Sequence, residues 1–344
     1  MYYNTNIKDW EVNFDMSVLI CGGAGYIGSH NVRAFKAHGE DVIVVDSLYT
    51  GHKASIPEDV KFYEGDIRDG GLLDRIFTEN KIEAVIHFCA FSLVGESVEQ
   101  PLKYFNNNVG GMISLLEAMQ RNDVKRIIFS SSAATYGEPK KIPILETDET
   151  KPTNPYGESK LIMEKMMNWV SRRYDIRYVS LRYFNVAGAW HDGTIGEDHR
   201  HETHLVPIIL QVPLGKREHV TVYGDDYPTK DGTCIRDYVH VEDLARAHIL
   251  ALEYLRGGGE SNIFNLGSGD GYSVMEMINA ARKATGQDIA VEVGERRAGD
   301  PAKLVADSTK AHEILHWQPE ITRMEDIIAS AWKWHKGHPN GYPD

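Results

Sequence analysis

Six apolar, β-branched runs recur along the first half of the chain: "SVLI", "DVIVVD", "VKFYEGD", "AVIHFCA", "KRIIFSS" and "RYVSLRYFN", with stretches between them long enough for crossover helices. Strands joined through helices run parallel, and the helices cover both faces of the sheet they form. Runs such as "VIVV" and "RIIF" lack the polar alternation of a half-exposed strand, as burial on both faces requires. The pattern predicts an α/β fold built on a doubly wound parallel sheet. At 344 residues the chain can bury a large core and still carry a smaller second lobe.

From about residue 188 the pattern changes. The segment "GAWHDGTIGEDHRHETH" is rich in Gly, His and acidic residues and has no period. It reads as a loop reaching over the strand ends, where ligands bind in such folds. Shorter elements follow, among them "HVTVYG", "CIRDYVHV", "NIFNLGSG" and a final helix around "MEDIIASAWKWH". The expected organisation is a dinucleotide-binding domain over 16–187 and a smaller α/β substrate lobe over 188–344, some of whose segments return to the main sheet. Residues 1–15, ahead of Met16, are expected to be an extension that the fold does not need.

The balance of 37 Lys and Arg against 50 Asp and Glu gives a formal net charge of -13. A surface field of that sign repels phosphate backbones and anionic lipids, so neither nucleic acid nor a membrane is an expected partner. No apolar run approaches the roughly 18 residues of a membrane span, and the first residues carry neither a basic start nor an apolar signal core. Cys21, Cys89 and Cys234 show no C-x-x-C spacing, which argues against a disulfide framework or a thiolate zinc site and fits a reducing cytoplasm.

The first run is followed by "CGGAGYIGSH", with glycines at Gly22, Gly25 and Gly28, and then by a helix-like segment. Strand, glycine turn and helix form a unit that holds phosphate, because glycine lets the backbone approach and the helix N-terminus presents free N–H groups. The second run ends in Asp46, whose carboxylate can accept hydrogen bonds from an adenosine ribose and repel a 2′-phosphate, favouring NAD over NADP. Further on, "NPYGESKLIMEKMMNWV" sets Tyr156 and Lys160 four residues apart on one face of an amphipathic helix. A neighbouring ammonium favours the phenolate and brings a phenol nearer to working pH, so the pair can exchange a proton with a substrate hydroxyl. Ser130, Ser131 and Ser132 end the strand upstream, where a serine can hydrogen-bond the same hydroxyl.

In this order, a glycine turn, a strand-end acid, a strand-end serine and a Tyr-x-x-x-Lys helix resemble the extended branch of the short-chain dehydrogenase/reductase superfamily. The segments "GGAGYIGSH", "YEGDIRD", "HFCAFSLVGES", "YFNNNVGG", "SSSAATYG", "PYGESK", "RYFNVAGA", "RDYVHVEDLARAH" and "RRAGDPAKLVAD" carry the likeness from about Met16 to the C-terminus, and within that branch it is to the UDP-sugar 4-epimerases.

The resemblance implies a Rossmann-type NAD-binding fold and reversible epimerisation at C4 of UDP-galactose and UDP-glucose through a transient 4-keto sugar, with NAD held throughout. On that footing Tyr156 is the acid and base, Lys160 lowers its pKa and binds the nicotinamide ribose, and Ser132 hydrogen-bonds the reacting hydroxyl. Gly22, Gly25, Tyr26, Ile27 and Gly28 line the pyrophosphate turn, Asp46 and Ser47 the adenosine ribose, and Asp66 and Ile67 the adenine. Phe88, Cys89, Ala90, Asn107 and Tyr183 complete the cofactor site. For the UDP-sugar, the resemblance points to Arg236 and Arg297 at the diphosphate and Asp300 at the uridine ribose, with Asn185, Leu205 and Tyr223 enclosing the nucleotide. It also implies a homodimer through helices around 101–121 and 155–173.

Leu304 aligns with a pocket position that is tyrosine in hexose-restricted members and smaller in those accepting N-acetylhexosamines, so a dual-specificity enzyme stays open as the alternative. A 4,6-dehydratase needs carboxyl side chains beside the strand-end serine, and here Ser132 is followed by Ala133 and Ala134. A non-catalytic NAD-binding regulator could discard Tyr156, Lys160 or Ser132, and all three are present. His191, His199, His201 and His204, with Glu197 and Asp198, lack helical H-x-x-x-H order, and the implied chemistry needs no Lewis acid, so no metal is expected.

Overall fold

The computed structural model describes residues 16–297 and 301–343. The extension 1–15 and Asp300 lie outside the described residues.

Strands β1 (Ser17–Cys21), β2 (Asp41–Asp46), β3 (Lys61–Glu64), β4 (Ile82–His87), β5 (Arg126–Ser132) and β6 (Arg177–Tyr183) form one parallel sheet. The strand Asn262–Leu266, from "NIFNLGSG", adds a seventh member at the edge beside β6. From that edge the order runs Asn262–Leu266, β6, β5, β4, β1, β2, β3. This is the doubly wound, Rossmann-type arrangement. The chain builds outward from β1 to β3 and then crosses to β4, on the other side of β1. That reversal opens a crevice above the carboxyl ends of β1 and β4.

Residues within each strand divide between two cores. Val18 and Ile20 join one buried cluster with Val32 and Phe35 of helix α1 (Tyr26–Ala37) and Leu244, Ala247 and Ala251 of the helix Val241–Arg256. Leu19 and Cys21 face the other cluster, with Leu73 and Ile76 of helix α2 (Gly70–Glu79) and Met163 and Met167 of the helix Pro155–Tyr174. Burial on both faces explains the unbroken apolar runs. A third cluster, including Val206, Ile278 and Ile328, packs the helices Leu205–Gln211, Val274–Thr285 and Met324–Gly337.

The run "CIRDYVHV" divides at Asp237 into Ile235–Arg236 and Tyr238–His240, which join different small sheets. The Asp237 carboxylate is fully buried and accepts from the backbone N–H of Ser268 (2.6 Å), Gly269 (3.1 Å) and Ala306 (3.0 Å). It thereby ties three loop segments to the break. Among the described residues no helix is long and apolar enough to cross a membrane, and the three cysteines are free.

His30, His87, His240 and His248 are buried, and burial pushes their pKa values down to about 3, 3, 4 and 4. Below the unfolded histidine pKa of about 6.5 the unfolded chain takes up protons that these folded residues refuse. Their contribution is therefore complete above about pH 6.5 and is lost as pH falls toward 4, at about 1.4 kcal/mol per pH unit for each histidine. His248 sits 4.9 Å from the Phe88 ring, and its Nδ1–H donates to Leu244 O at 2.9 Å. Urea unfolding between pH 4.5 and 7 should show His248→Leu losing stability less steeply than the wild type, by about one proton. Equal slopes would refute the assignment.

Candidate active site

The glycine turn places α1 directly on the end of β1. A Cβ added at Gly28 would lie 2.0 Å from Gly22 O, so the helix start can sit this close only with glycine there. The first N–H groups of α1 have no partner within the helix and face the crevice end of the sheet. Asp46, at the end of β2, accepts from Ala24 N (2.9 Å) and Leu48 N (2.8 Å), which aims its buried carboxylate into the same turn. Burial raises its pKa and those two N–H groups oppose the rise.

A solvent-open groove runs along this end of the sheet. Gly22, Gly25, Asp46, Ser47, Asp66, Ile67, Phe88, Cys89, Ala90 and Asn107 all line it. Tyr49, Thr50, Gly65 and Phe91 line it too, and sequence reasoning missed them. The Tyr49 and Phe91 rings lie 4.9 Å apart, with the Lys103 ammonium over both, an apolar wall whose only trace in the sequence is a pair of isolated aromatics. Asn107 belongs to a π-helical turn, Phe105–Gly110, in which Asn108 accepts from Phe91 N (2.8 Å) and donates to Ser159 (2.9 Å). Tyr26 and Ile27 behave differently. The Tyr26 hydroxyl donates to Gly188 O at 2.7 Å, and Ile27 packs against the core, so these side chains brace the turn and do not line the groove.

The helix Pro155–Tyr174 starts from Asn154, whose side chain caps Gly157 N at 2.9 Å. A Cβ at Gly157 would stand 2.5 Å from Ala134 O, so the first turn lies hard against the segment that follows β5. Tyr156, Lys160 and Glu164 form one stripe at four-residue spacing, and each meets one serine of β5. Ser132 lies near enough to the Tyr156 phenol to favour its phenolate. Lys160 Nζ donates to Ser130 O at 2.7 Å. Ser131 Oγ donates to Glu164 Oε1 at 2.5 Å. Tyr183, at the end of β6, pairs its hydroxyl with that of Ser130.

Charge at this set departs from expectation. Burial raises the Tyr156 pKa, opposed by Ser132, and burial pushes the Lys160 ammonium down to about 7, opposed by Cys89 and Glu164. The sequence suggested a phenol drawn down by its ammonium neighbour. In the structure Lys160 Nζ lies 5.8 Å from the Tyr156 ring centroid and desolvation governs both groups.

Of the residues expected at the UDP-sugar, Arg236 Nη1 donates to Pro301 O (2.9 Å) and shares strand register with Leu304. The Arg297 guanidinium stacks 3.9 Å over the centroid of the Tyr223 ring. Asn185 pairs with the Tyr238 hydroxyl, and Leu205 opens the helix Leu205–Gln211.

Residues 18–267 match the NAD dependent epimerase/dehydratase family. The chain belongs to that family. Its relatives include the UDP-glucose 4-epimerase of Lacticaseibacillus casei, 58% identical over 329 residues that cover 96% of this chain and 99% of that protein. Among solved structures, UDP-glucose 4-epimerase from Brucella ovis in complex with NAD is 46% identical, with a TM-score of 0.90, over 92% of this chain and 97% of that one. The Bifidobacterium longum enzyme in complex with NAD+ and UDP is 42% identical, with a TM-score of 0.90, over 95% and 100%.

The Glu164 carboxylate also receives Arg182 Nε (2.9 Å) and Nη2 (2.5 Å), a buried ion pair beneath the helix that carries Tyr156 and Lys160. Glu164→Ala strands the guanidinium and should cost roughly 3–5 kcal/mol by urea unfolding. Glu164→Met combined with Arg182→Met should recover most of that loss. A double variant as unstable as the single one would show that the charge pair is not what matters.

Proposed function

We infer that this protein is an NAD-dependent isomerase that interconverts UDP-galactose and UDP-glucose at C4 of the sugar. The observation that carries the reading is that Ser132 at the carboxyl end of β5 acts on the Tyr156 phenol, with Lys160 on the same helix stripe held at Ser130 O and the glycine turn at the same end of the sheet. The close seating of Gly28 on Gly22 O leaves room for a pyrophosphate against exposed N–H groups, and Asp46 stands where an adenosine ribose fits. These features suit NAD. When bound it supplies reversible hydride exchange with C4.

In this reading Tyr156 removes the C4 hydroxyl proton and later returns it, and Ser132 holds that hydroxyl in line. Lys160 supplies the positive charge that a buried phenolate requires. Arg236 and Arg297 take the diphosphate, Tyr223, Asn185 and Leu205 enclose the nucleotide, and Leu304 bounds the sugar. Residues 16–187 carry chiefly NAD, and 188–344 chiefly the UDP-sugar. The diphosphate anchor lets the 4-keto sugar turn its other face without leaving. Ala133 and Ala134 beside Ser132 offer no acid to expel water, which supports epimerisation over dehydration.

Purified protein given UDP-galactose without added NAD should form UDP-glucose, since the cycle has no net redox change. UDP-N-acetylgalactosamine in parallel measures what Leu304 admits. Tyr156→Phe should lower kcat at least about 100-fold with bound NAD unchanged. Wild-type turnover in that variant would remove the mechanism.

Homodimerisation is part of the reading, supported by Leu102 (81% exposed) and Trp169, large apolar side chains open to solvent on the helices that the family resemblance points to. Sedimentation should give a dimer that Leu102→Asp with Trp169→Asp converts to a monomer, and a wild-type monomer would overturn it. A cytoplasmic location fits the three free cysteines.

A further inference from the structure

The irregular segment ahead of the helix Leu205–Gln211 folds back so that Glu197, His199, Glu202 and His204 converge. One ligand-type atom from each lies within 4.8 Å of every other. Glu197 Oε1 is 2.7 Å from His204 Nδ1 and 3.5 Å from His199 Nδ1. Glu202 reaches His199 Nδ1 at 3.2 Å through Oε2 and His204 Nδ1 at 3.3 Å through Oε1. A tetrahedral ion bonded at about 2.0–2.1 Å holds its donors about 3.3–3.4 Å apart; with a single oxygen from Glu202, the separations are 2.7 and 3.5 Å from Glu197 and either 3.2 or 3.3 Å from Glu202, close to that spacing.

The donor chemistry narrows the ion. Two imidazole nitrogens with two carboxylate oxygens suit a borderline divalent cation such as zinc, whereas magnesium and calcium take all-oxygen shells. The carboxylates are also withdrawn from water, with side chains only 4% exposed at Glu197 and 9% at Glu202. Their partners here are the two imidazoles, and one divalent ion bound between all four would take over that compensation while freeing both rings to ligate.

The surroundings hold the ligands in place, as metal sites require. Glu202 Oε1 accepts from the backbone N–H of Thr203 (2.8 Å) and His204 (2.7 Å), which turns Oε2 toward His199. The backbone at the other end is pinned by Trp334 Nε1 to Glu197 O (3.2 Å) and by Tyr342 N to Asp198 Oδ2 (2.9 Å). The final helix and the C-terminal tail therefore fix the position of Glu197 before any ion arrives.

We propose that Glu197, His199, Glu202 and His204 form a structural site for one zinc-class divalent cation, which clamps the segment 197–204 between the final helix and the helix Leu205–Gln211. The sequence argued against a metal because helical H-x-x-x-H order is missing. A loop reversal supplies the convergence instead. No step of the epimerisation passes through this site.

Untagged full-length protein, dialysed against EDTA and then freed of it, should bind one Zn2+ per chain in calorimetry, with a melting temperature that rises with zinc concentration. His199→Ala and Glu202→Gln should each weaken binding at least about tenfold. His219→Ala, which removes an exposed imidazole paired with Glu292 outside the cluster, should leave binding as it was. Co2+ in place of Zn2+ should give the intense visible absorption of a tetrahedral ion, a reading that depends on no variant. Absence of saturable zinc binding, binding that survives both cluster variants, or a pale octahedral cobalt spectrum would each overturn the site.

Discussion

The arrangement that the rest of the site depends on is the registry between one helix stripe and one strand end. Tyr156, Lys160 and Glu164 recur at the four-residue spacing that keeps side chains on one face of a helix. They meet Ser132, Ser130 and Ser131 of β5. Sliding the helix by one turn would move the phenol away from Ser132 and carry Glu164 off Arg182. A buried ion pair contributes little net stability, because its desolvation offsets its attraction. Its value here is specificity: misregistered packings leave a carboxylate and a guanidinium stranded in an apolar layer. Gly157 sets the second coordinate, since its missing Cβ lets the first turn rest on Ala134 O.

The sheet topology brings this helix and the glycine turn to the same place. The order reverses between β1 and β4, so the chain segments leaving those two strands part in opposite directions and leave a crevice between them. Gly22 follows β1, Phe88 and Cys89 follow β4, and Ser132 closes β5, the next strand along. The groove and the Ser132, Tyr156 and Lys160 set thus share one end of the sheet because parallel strands present all their carboxyl ends together.

Much of this was legible in the sequence, and what was not has identifiable causes. The apolar runs announced the parallel sheet because burial on both faces suppresses polar alternation. The glycine turn, Asp46 and the Tyr156–Lys160 pair were visible because their chemistry acts over a few residues of chain. Glu164 and Arg182 were not, because a charged residue in "ESKLIMEK" or "RYVSLRYFN" looks like a solvated one until its partner 18 residues away is known. The break at Asp237 was hidden for the same reason: the three N–H groups that hold its carboxylate come from loops 31 and more residues distant. Local sequence also left out part of the electrostatics. Proximity of Lys160 suggested a lowered phenol pKa, but burial is a property of the whole fold and it dominates at both groups.

The same contrast between local and global bears on how an acidic protein can take an anionic substrate. With a net charge of -13, the long-range field works against a nucleoside diphosphate, and screening confines useful attraction to within about 10 Å. Recognition must therefore rest on groups already in position when the ligand arrives. Backbone N–H groups at the start of α1 meet that condition because the glycine contact fixes them. In the proposed reading Arg236 meets it because Pro301 O holds its guanidinium, and Arg297 because its guanidinium stacks on the Tyr223 ring. Positive charge organised this way costs little entropy on binding, and it lets a small set of cationic groups outweigh a much larger acidic surface that stays in water.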